Sequence, residues 1–249
     1  MIFPDMPELT SWIGLAARMF FFRRCYRKST KIFTVSAFSK SRIEHHLGRE
    51  KPVIIAHDAI RPQITPQGTG GTQKKETIVF IGNIKKHKGL DCLLKAFMLA
   101  RVEGLPHKLI IIGSRDNFRT ADNDFPGKVD SLDSDAVAFT GYIPDEELAE
   151  CLSSASLLVQ PSLYEGFGLP PLEAMAMGTQ ALISDIPVFK EIYEGFPVTF
   201  FRAGDSNDLK DKMMEILFNN KPVSPVLSHE ILTRYTFEKT ARRILEEFK

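Results

Sequence analysis

From residue 77 onward, short apolar runs alternate with stretches in which apolar residues recur every three or four positions. The apolar runs predict strands at residues 77–81, 108–112, 136–139, 156–160, 180–183 and 198–201. The helical stretches lie near residues 89–101, 145–154, 170–177, 187–193, 207–219 and 237–248. Several strands are apolar throughout, which is typical of strands covered by helices on both faces. The alternation predicts an α/β domain with a parallel, doubly wound sheet that binds ligands at the carboxyl ends of its strands.

The first 60 residues predict a smaller amount of the same kind of structure. They contain two strand-like runs and two helical stretches, at residues 32–36, 52–56, 9–28 and 37–47. Ser36 is a suitable N-cap for the second helix, and Gly48 is a suitable stop. Two strands are too few for an independent parallel sheet.

The chain therefore divides into three parts. Residues 61–76 contain several prolines and glycines and no periodicity, which predicts a linker. Residues 77–249 are predicted to form a complete α/β domain. Residues 1–60 are expected to be the end of another domain whose beginning is absent.

The first predicted helix has an apolar run at residues 12–22, which is too short to span a bilayer. Its basic residues follow the run and no small-residue cleavage site comes after it, so it does not resemble a signal peptide. Two interpretations stay open: the helix packs on a sheet, or it touches anionic lipid headgroups. We expect residues 1–60 to mediate self-association, binding of a partner chain, or attachment to an anionic membrane surface.

Composition is that of a globular protein, with 43% hydrophobic and 25% charged residues, and it argues against collagen, disorder and a polytopic membrane protein. Three distant cysteines do not support a disulfide scaffold and fit a reducing cytoplasm. Residues 1–100 hold 17 Lys and Arg against 7 Asp and Glu, a balance of +10. The remainder holds 15 against 24, a balance of −9. Such asymmetry is typical of a basic face that meets an anionic partner.

Several familiar motifs fail. The glycine-rich segment at 68–75 precedes a strand instead of a helix, so it is not expected to be a phosphate loop. The acid pairs Asp122/Asp124 and Asp133/Asp135 lie in polar sequence and are interpreted as solvated loop acids. The six histidines lack zinc spacing, and basic residues do not alternate with aromatic residues on strands, so neither zinc nor nucleic acid is expected.

The informative segment is PSLYEGFGLPPLEAMAMG, residues 161–178, which follows an apolar strand. Gly166 and Gly168 would allow the backbone to approach a ligand closely. Pro170 and Pro171 suit the first turn of a helix. The free N–H groups at this helix start would form an anion site, and a diphosphate is the expected guest.

Two carboxylates flank this turn. Glu165 precedes it and Glu173 lies one turn into the helix, so both can face one bound molecule. Carboxylates accept strong hydrogen bonds from sugar hydroxyls, whereas they repel phosphate. The alternative is a capping or surface role for one or both acids.

With these residues, the chain resembles the retaining glycosyltransferases of family four, whose GT-B fold places two Rossmann-like domains across a cleft. The glutamate segment carries the resemblance, and shorter pieces support it: TKIFTVS at 30–36, FIGNIKKHKGL at 80–90, FTGYIP at 139–144 and YTFEKTAR at 235–242.

The resemblance implies a role for each matching position. Glu173 would hold the ribose of a nucleotide sugar, and Glu165 would contact the donor sugar. Lys88 would pair with the diphosphate as it leaves, so that neither a metal nor a cofactor is required. The remaining donor-binding positions would be the backbone groups of Gly166, Phe167, Gly168 and Leu169, together with Asn83 and Tyr142. Asn83 replaces an arginine that is common in the family.

The activity implied is transfer of a hexose, with retention, from a nucleotide-diphosphate sugar to a polysaccharide or glycolipid acceptor. The resemblance implies that most of the family's acceptor-side domain would be absent from these 249 residues. The alternative is a non-catalytic module that binds nucleotide sugar, or a scaffold, and works with a separate partner chain. The expected location is the cytoplasm, with peripheral attachment to the inner face of the membrane as a further option.

Overall fold

Six parallel strands form one sheet in the order β5-β4-β3-β6-β7-β8, and a separate parallel pair, β1 and β2, precedes them. The computed structural model describes residues 2–64, 73–113, 135–219 and 225–248. The strands are β1 Ile32–Thr34, β2 Val53–Ile55, β3 Thr77–Ile81, β4 Lys108–Ile112, β5 Val137–Gly141, β6 Leu157–Gln160, β7 Gln180–Ser184 and β8 Thr199–Phe201. This α/β architecture confirms the predicted fold class.

Ten helices are described along the chain. They are α1 Ile2–Asp5, α2 Trp12–Lys28, α3 Ala37–Leu47, α4 Leu90–Val102, α5 Asp145–Ser154, α6 Leu169–Ala176, α7 Pro187–Tyr193, α8 Ser206–Asn219, α9 Pro225–Arg234 and α10 Phe237–Leu245. Short 3-10 turns add Pro7–Leu9, Lys86–Lys88 and Glu246–Phe248. Ser36 caps α3 by accepting a hydrogen bond from the Ser39 N–H at 3.0 Å, and Gly48 ends it, as predicted.

The strand order reverses beside β3. The chain runs outward from β3 to β5 and then returns to place β6 on the other side of β3, where Val79 pairs with Leu158. The carboxyl ends of β3 and β6 are therefore neighbours with loops that leave in different directions. In open parallel sheets this is where a crevice forms and ligands bind.

The sheet is buried on both faces because successive strand residues point to opposite sides. Ile78 and Phe80 pack with apolar residues of α4 and α8 on one face. Val79 and Leu158 pack with apolar residues of α5, α6, α7 and α9 on the other. The two layers hold the loops at the carboxyl edge in fixed positions.

The segment of residues 2–60 packs against the larger sheet domain through α3. The Ser36 hydroxyl donates to the Gly166 carbonyl at 2.6 Å. The N–H groups of Ala37 and Phe38 donate to the two carboxylate oxygens of Glu191 at 2.6 and 2.7 Å. An acidic side chain at a helix N-terminus stabilises the helix dipole, so these contacts fasten α3 to α7.

Helix α2 packs on one side only. Its Tyr26 is buried, whereas Trp12, Ile13, Phe20 and Phe21 are between 61% and 79% exposed. Within the part of the chain that the structure describes, none of the helices combines the length and apolar character that a bilayer crossing requires.

Helices α1 and α9 were not predicted, and α10 ends earlier than predicted. In α9, Pro225 occupies the first turn, where proline is tolerated. The predicted helix at 237–248 is α-helical only to Leu245 and ends in a 3-10 turn.

Part of the predicted linker packs against the rest of the protein. Ile64 has no exposed surface, and Arg61 makes three side-chain hydrogen bonds, so residues 61–64 belong to the packed structure. Residues 65–72 lie outside the described residues, and with them most of the glycine-rich segment at 68–75. Asp122, Asp124 and Asp133 lie outside them as well.

Candidate functional site

The loops after β3 and β6 touch each other at the carboxyl edge of the sheet. Gly89 ends the 3-10 turn Lys86–Lys88 with a φ of 69°. A Cβ at this position would overlap the carbonyl oxygen of Pro161, so only glycine allows the contact. The Leu163 N–H donates to the His87 carbonyl at 2.7 Å and fixes the register of the two loops.

This contact brings Lys88 and Glu165 together. The Lys88 ammonium donates to Glu165 Oε1 at 2.6 Å, and the two side chains are 21% and 11% exposed. The Ser162 hydroxyl donates to the same oxygen at 2.8 Å, and the Gln160 amide donates to Ser162 at 3.0 Å. The carboxylate is thus held in one orientation by a charged and a neutral donor.

His87 contributes no positive charge here at neutral pH. Burial, together with the neighbouring Lys88 ammonium, lowers the pKa of His87 to about 4. Lys88 is therefore the charged side chain that this 3-10 turn presents beside Glu165.

The turn before α6 depends on Gly168, which has a φ of 89°. A Cβ there would overlap the ring of Phe189, so packing as well as backbone conformation requires glycine. Pro170 and Pro171 lie in the first turn, as predicted. Among the described residues, the N–H groups of Gly168 and Leu169 have no hydrogen-bond acceptor, which leaves them free for an anion.

Gly166 and Phe167 both contact other parts of the protein. The Gly166 carbonyl accepts hydrogen bonds from Ser36 and from Ser39, the latter at 3.2 Å. The Phe167 side chain is buried beside His57 and Tyr235, with ring centroids 5.8 and 5.6 Å away. These contacts anchor the loop to residues 2–60 and to the C-terminal helices.

Glu173 is fully buried, and its carboxylate is bound by an arginine. Arg61 Nε and Nη2 donate to the two Glu173 oxygens at 2.8 Å each, and Nη1 donates to Asp145 at 2.7 Å. This pairing with Glu173 raises the pKa of Arg61 above its usual value. Sequence reasoning missed Arg61, because a single arginine at the start of a proline-rich segment has no motif.

The other two predicted donor-binding residues, Asn83 and Tyr142, are exposed. Asn83 is exposed in the loop after β3. Tyr142, in the loop after β5, is 86% exposed. The structure thus brings Lys88 and Glu165 together, whereas the Glu173 carboxylate is paired with Arg61.

The N-terminal segment reaches the same loop through Asp5. Its carboxylate accepts hydrogen bonds from Tyr164 at 2.6 Å and from Arg42 Nε at 2.8 Å, and it pairs with His46 at 2.6 Å. Burial alone would raise the pKa of Asp5, but the bonds from Arg42, His46 and Tyr164 outweigh it and lower the pKa to about 2. Tyr164 directly precedes Glu165, so residues 2–60 help to position that glutamate.

Comparison with known proteins identifies the family. The family model for glycosyl transferases group 1 matches residues 64–224. Mannosylfructose-phosphate synthase from Agrobacterium fabrum is 29% identical over 68% of this chain and 39% of its own length. The O-antigen chain mannosyltransferase RfbU from Salmonella typhimurium is 29% identical over 70% of this chain and 47% of its own length. The chain thus spans less than half the length of these two relatives.

Solved structures agree on the fold. Sucrose-phosphate synthase from Thermosynechococcus elongatus superposes with a TM-score of 0.76 at 20% identity, over 94% of this chain and 61% of that one. Anabaena HepE in complex with UDP and glucose gives a TM-score of 0.76 at 16% identity, over 97% of this chain and 68% of that one. The fold is that of GT-B glycosyltransferase structures. Since the family model covers more than half of its residues, the chain belongs to the glycosyl transferases group 1 family.

Proposed function

We propose that this chain binds a nucleotide-diphosphate sugar and transfers its hexose, with retention, to a polysaccharide or glycolipid acceptor. The observation that carries the proposal is the Lys88–Glu165 pair, whose glutamate lies on the loop that leads into the turn at the start of α6. The pair stands where the strand order reverses between β3 and β6, the expected place for a ligand in this kind of sheet.

The positive groups of the site fit the diphosphate. The Lys88 ammonium supplies a full charge, and the N–H groups of Gly168 and Leu169 add the partial positive charge of a helix start. Phosphate oxygens would compete with Glu165 for Lys88. In our proposal these groups stabilise the leaving diphosphate without a metal or a cofactor, because the positive field is already in place.

Glu165 fits the sugar. Its carboxylate is only 11% exposed and is held by Lys88 and Ser162, so it is an ordered acceptor for a sugar hydroxyl. In the proposed step, the bond between C1 of the hexose and the diphosphate oxygen breaks. The acceptor oxygen bonds to C1 from the same face, and its hydroxyl proton passes to the departing diphosphate. The protein orients and stabilises these partners and supplies no base.

The relatives support the class of substrate. Two of them are named for mannosyl transfer or mannosylfructose-phosphate synthesis, and HepE has been solved with UDP and glucose. UDP and GDP, and the hexoses joined to them, are therefore the first donors to test. Asn83 and Tyr142 remain proposed donor contacts, and their exposure leaves them free to meet a nucleotide.

The deciding experiment is titration calorimetry of the full chain with UDP, GDP and the matching nucleosides. The proposal predicts tighter binding of the diphosphates, because the nucleosides cannot reach Lys88 and the N–H groups of α6. Equal affinity for nucleoside and diphosphate would refute the phosphate site. A chain that binds diphosphate but never transfers a hexose from UDP or GDP sugars to a glycan or lipid acceptor would instead be the non-catalytic module.

We also propose that α2 attaches the protein to an anionic lipid surface. Its exposed face combines Trp12, Ile13, Phe20 and Phe21 with the basic residues Arg23, Arg24, Arg27 and Lys28. A dry protein interface would have to bury these cations at high cost, whereas a headgroup layer accepts both kinds of side chain. Each cation near such a surface adds about 1 kcal/mol of attraction.

A further inference from the structure

The Glu173 carboxylate has no open path to a ligand. Its side chain is 1% exposed, and both of its oxygens lie within the fork of the Arg61 guanidinium. Arg61 itself is 34% exposed, so it stands between the carboxylate and solvent. A ligand that is to bind this carboxylate has to move Arg61 first.

The backbone at Arg61 is fixed on both sides. The Ile60 N–H donates to the Tyr235 carbonyl at 3.0 Å, and the Ile64 N–H donates to the Arg61 carbonyl at 2.9 Å. Ile60 and Ile64 are both buried. Displacement of Arg61 is therefore a rotation of its side chain and not a movement of the segment.

Arg61 has a second partner that could hold it after such a rotation. Asp145, at the start of α5, accepts from Nη1 at 2.7 Å and is itself 27% exposed. The guanidinium can leave Glu173 and stay paired with Asp145 at the surface. The Arg61 guanidinium can therefore pair with both Glu173 and Asp145 or with Asp145 alone.

We propose that Arg61 is a built-in occupant of the ribose subsite, which the incoming nucleotide must displace from Glu173. The inference rests on the proposed function and on the role that the family resemblance implies for Glu173, which is to bind the ribose of the nucleotide. The two ribose hydroxyls would take over the two oxygens that Arg61 occupies in the free protein. The charged arginine fork is the stronger partner, so displacement weakens nucleotide binding.

This competition gives the effect of an Arg61 substitution a definite sign. If the Arg61–Glu173 pair is closed in nine-tenths of the molecules or more, substitution of Arg61 should tighten nucleotide binding about tenfold or more, because apparent affinity scales with the competent fraction. An arginine that contacts the nucleotide directly, or only supports the fold, gives the opposite result: unchanged or weaker binding.

The test is calorimetry of UDP and GDP against the full chain and its variants Arg61→Ala and Arg61→Lys. Arg61→Ala leaves a buried carboxylate unpaired and is expected to fold less stably. Arg61→Lys keeps the charge but loses the two-bond fork, so it should fold and show a smaller gain of about threefold. Arg242→Ala is the matched control, since Arg242 pairs with Glu238 at 2.7 Å on an exposed helix face.

The increase in nucleotide affinity of the Arg61 variants should depend on the ribose hydroxyls. A 2′,3′-dideoxynucleoside diphosphate should bind wild type and Arg61→Lys equally, because it has no hydroxyls to place on Glu173. If the folded variants bind UDP and GDP no better than wild type, the Arg61 inference is wrong while the proposed function stands. If no variant and no wild-type sample binds any nucleotide, both are wrong. Binding by the variants alone would support both.

Discussion

Lys88 and Glu165 lie 77 positions apart in the sequence, and their charged groups meet at 2.6 Å in the folded protein. Each stands on a loop that follows a central strand, β3 or β6, and those strands are neighbours where the strand order reverses. The pair is a consequence of topology. It places one positive and one negative group at the crevice that this sheet offers to a ligand.

Replacement of Lys88 should separate diphosphate binding from nucleoside binding. Lys88→Ala removes a charged hydrogen bond worth about 1.5–3 kcal/mol, so the Kd for UDP or GDP should rise about 10- to 150-fold. The Kd for the nucleoside should stay unchanged. Calorimetry measures both, with Lys95→Ala, an exposed lysine of α4, as the control. A parallel loss of nucleoside affinity would mean that Lys88 supports the fold of the site.

Replacement of Glu173 should lower the stability of the folded protein. Glu173→Gln breaks the buried pair with Arg61, and a buried pair that loses one partner costs about 3 kcal/mol or more. For a chain of this size, that corresponds to a fall in Tm of about 6–12 °C. Thermal unfolding by circular dichroism measures it, with Glu238→Gln as the exposed control. An unchanged Tm would show that the Arg61–Glu173 pair contributes little to the fold.

Stability should depend on Asp5 in the acid range. The folded-state pKa of Asp5 is about 2, below its usual 3.8. A lowered folded pKa stabilises the protein above the unfolded pKa, and this stability is lost as the pH falls from about 4 to about 2. Asp5→Asn should therefore cost about 1 kcal/mol at pH 7, because solvent screens a partly exposed group. The difference from wild type should shrink below pH 4.

Urea unfolding at pH 7, 4 and 3 measures the difference in free energy of unfolding between wild type and Asp5→Asn. The substitution Tyr164→Phe tests whether Asp5 stabilises the protein through the loop that contains Tyr164. If Asp5 and Tyr164 act through their 2.6 Å hydrogen bond, the two substitutions together should cost less than the sum of their separate effects. Strict additivity would show that Asp5 stabilises only the N-terminal segment.

Vesicle binding should depend on the exposed face of α2. The full chain should float with vesicles that contain phosphatidylglycerol, and not with pure phosphatidylcholine, and high salt should weaken the association. Phe20→Ser with Phe21→Ser should abolish flotation at unchanged Tm, because both rings are exposed. Phe218→Ser, a 72% exposed residue of α8, is the control. A dimer that buries this face, or flotation that ignores the substitutions, would contradict the lipid proposal.

The local pattern of the sequence predicted most of the secondary structure. Strands β3 and β4 and helices α5 and α7 have the predicted bounds, because buried strands and amphipathic helices have periods that survive without tertiary contacts. The turn before α6 was also predictable, since glycine and proline restrict the backbone locally. Helices α1 and α9 were not predicted.

The composition of the site is a different matter. The sequence marked Glu165 and Glu173 as a pair on one short segment, but it could not show that one is open to Lys88 and the other covered by Arg61. Nor could it show that Asp5, at the other end of the chain, holds the residue before Glu165. Which partner a charged side chain has depends on distances in the folded protein and on burial.

The sequence by itself therefore determined the α/β class, most element positions and the segment that carries the chemistry, because these depend on residues close together in the chain. The tertiary structure alone decided the strand order, the docking of residues 2–60 and the partner of each carboxylate. Those depend on contacts between residues far apart in the chain, such as Lys88 with Glu165, Arg61 with Glu173 and Asp5 with Tyr164. Such contacts form only when the whole chain packs, and the local hydrophobic periodicity of the sequence does not indicate them.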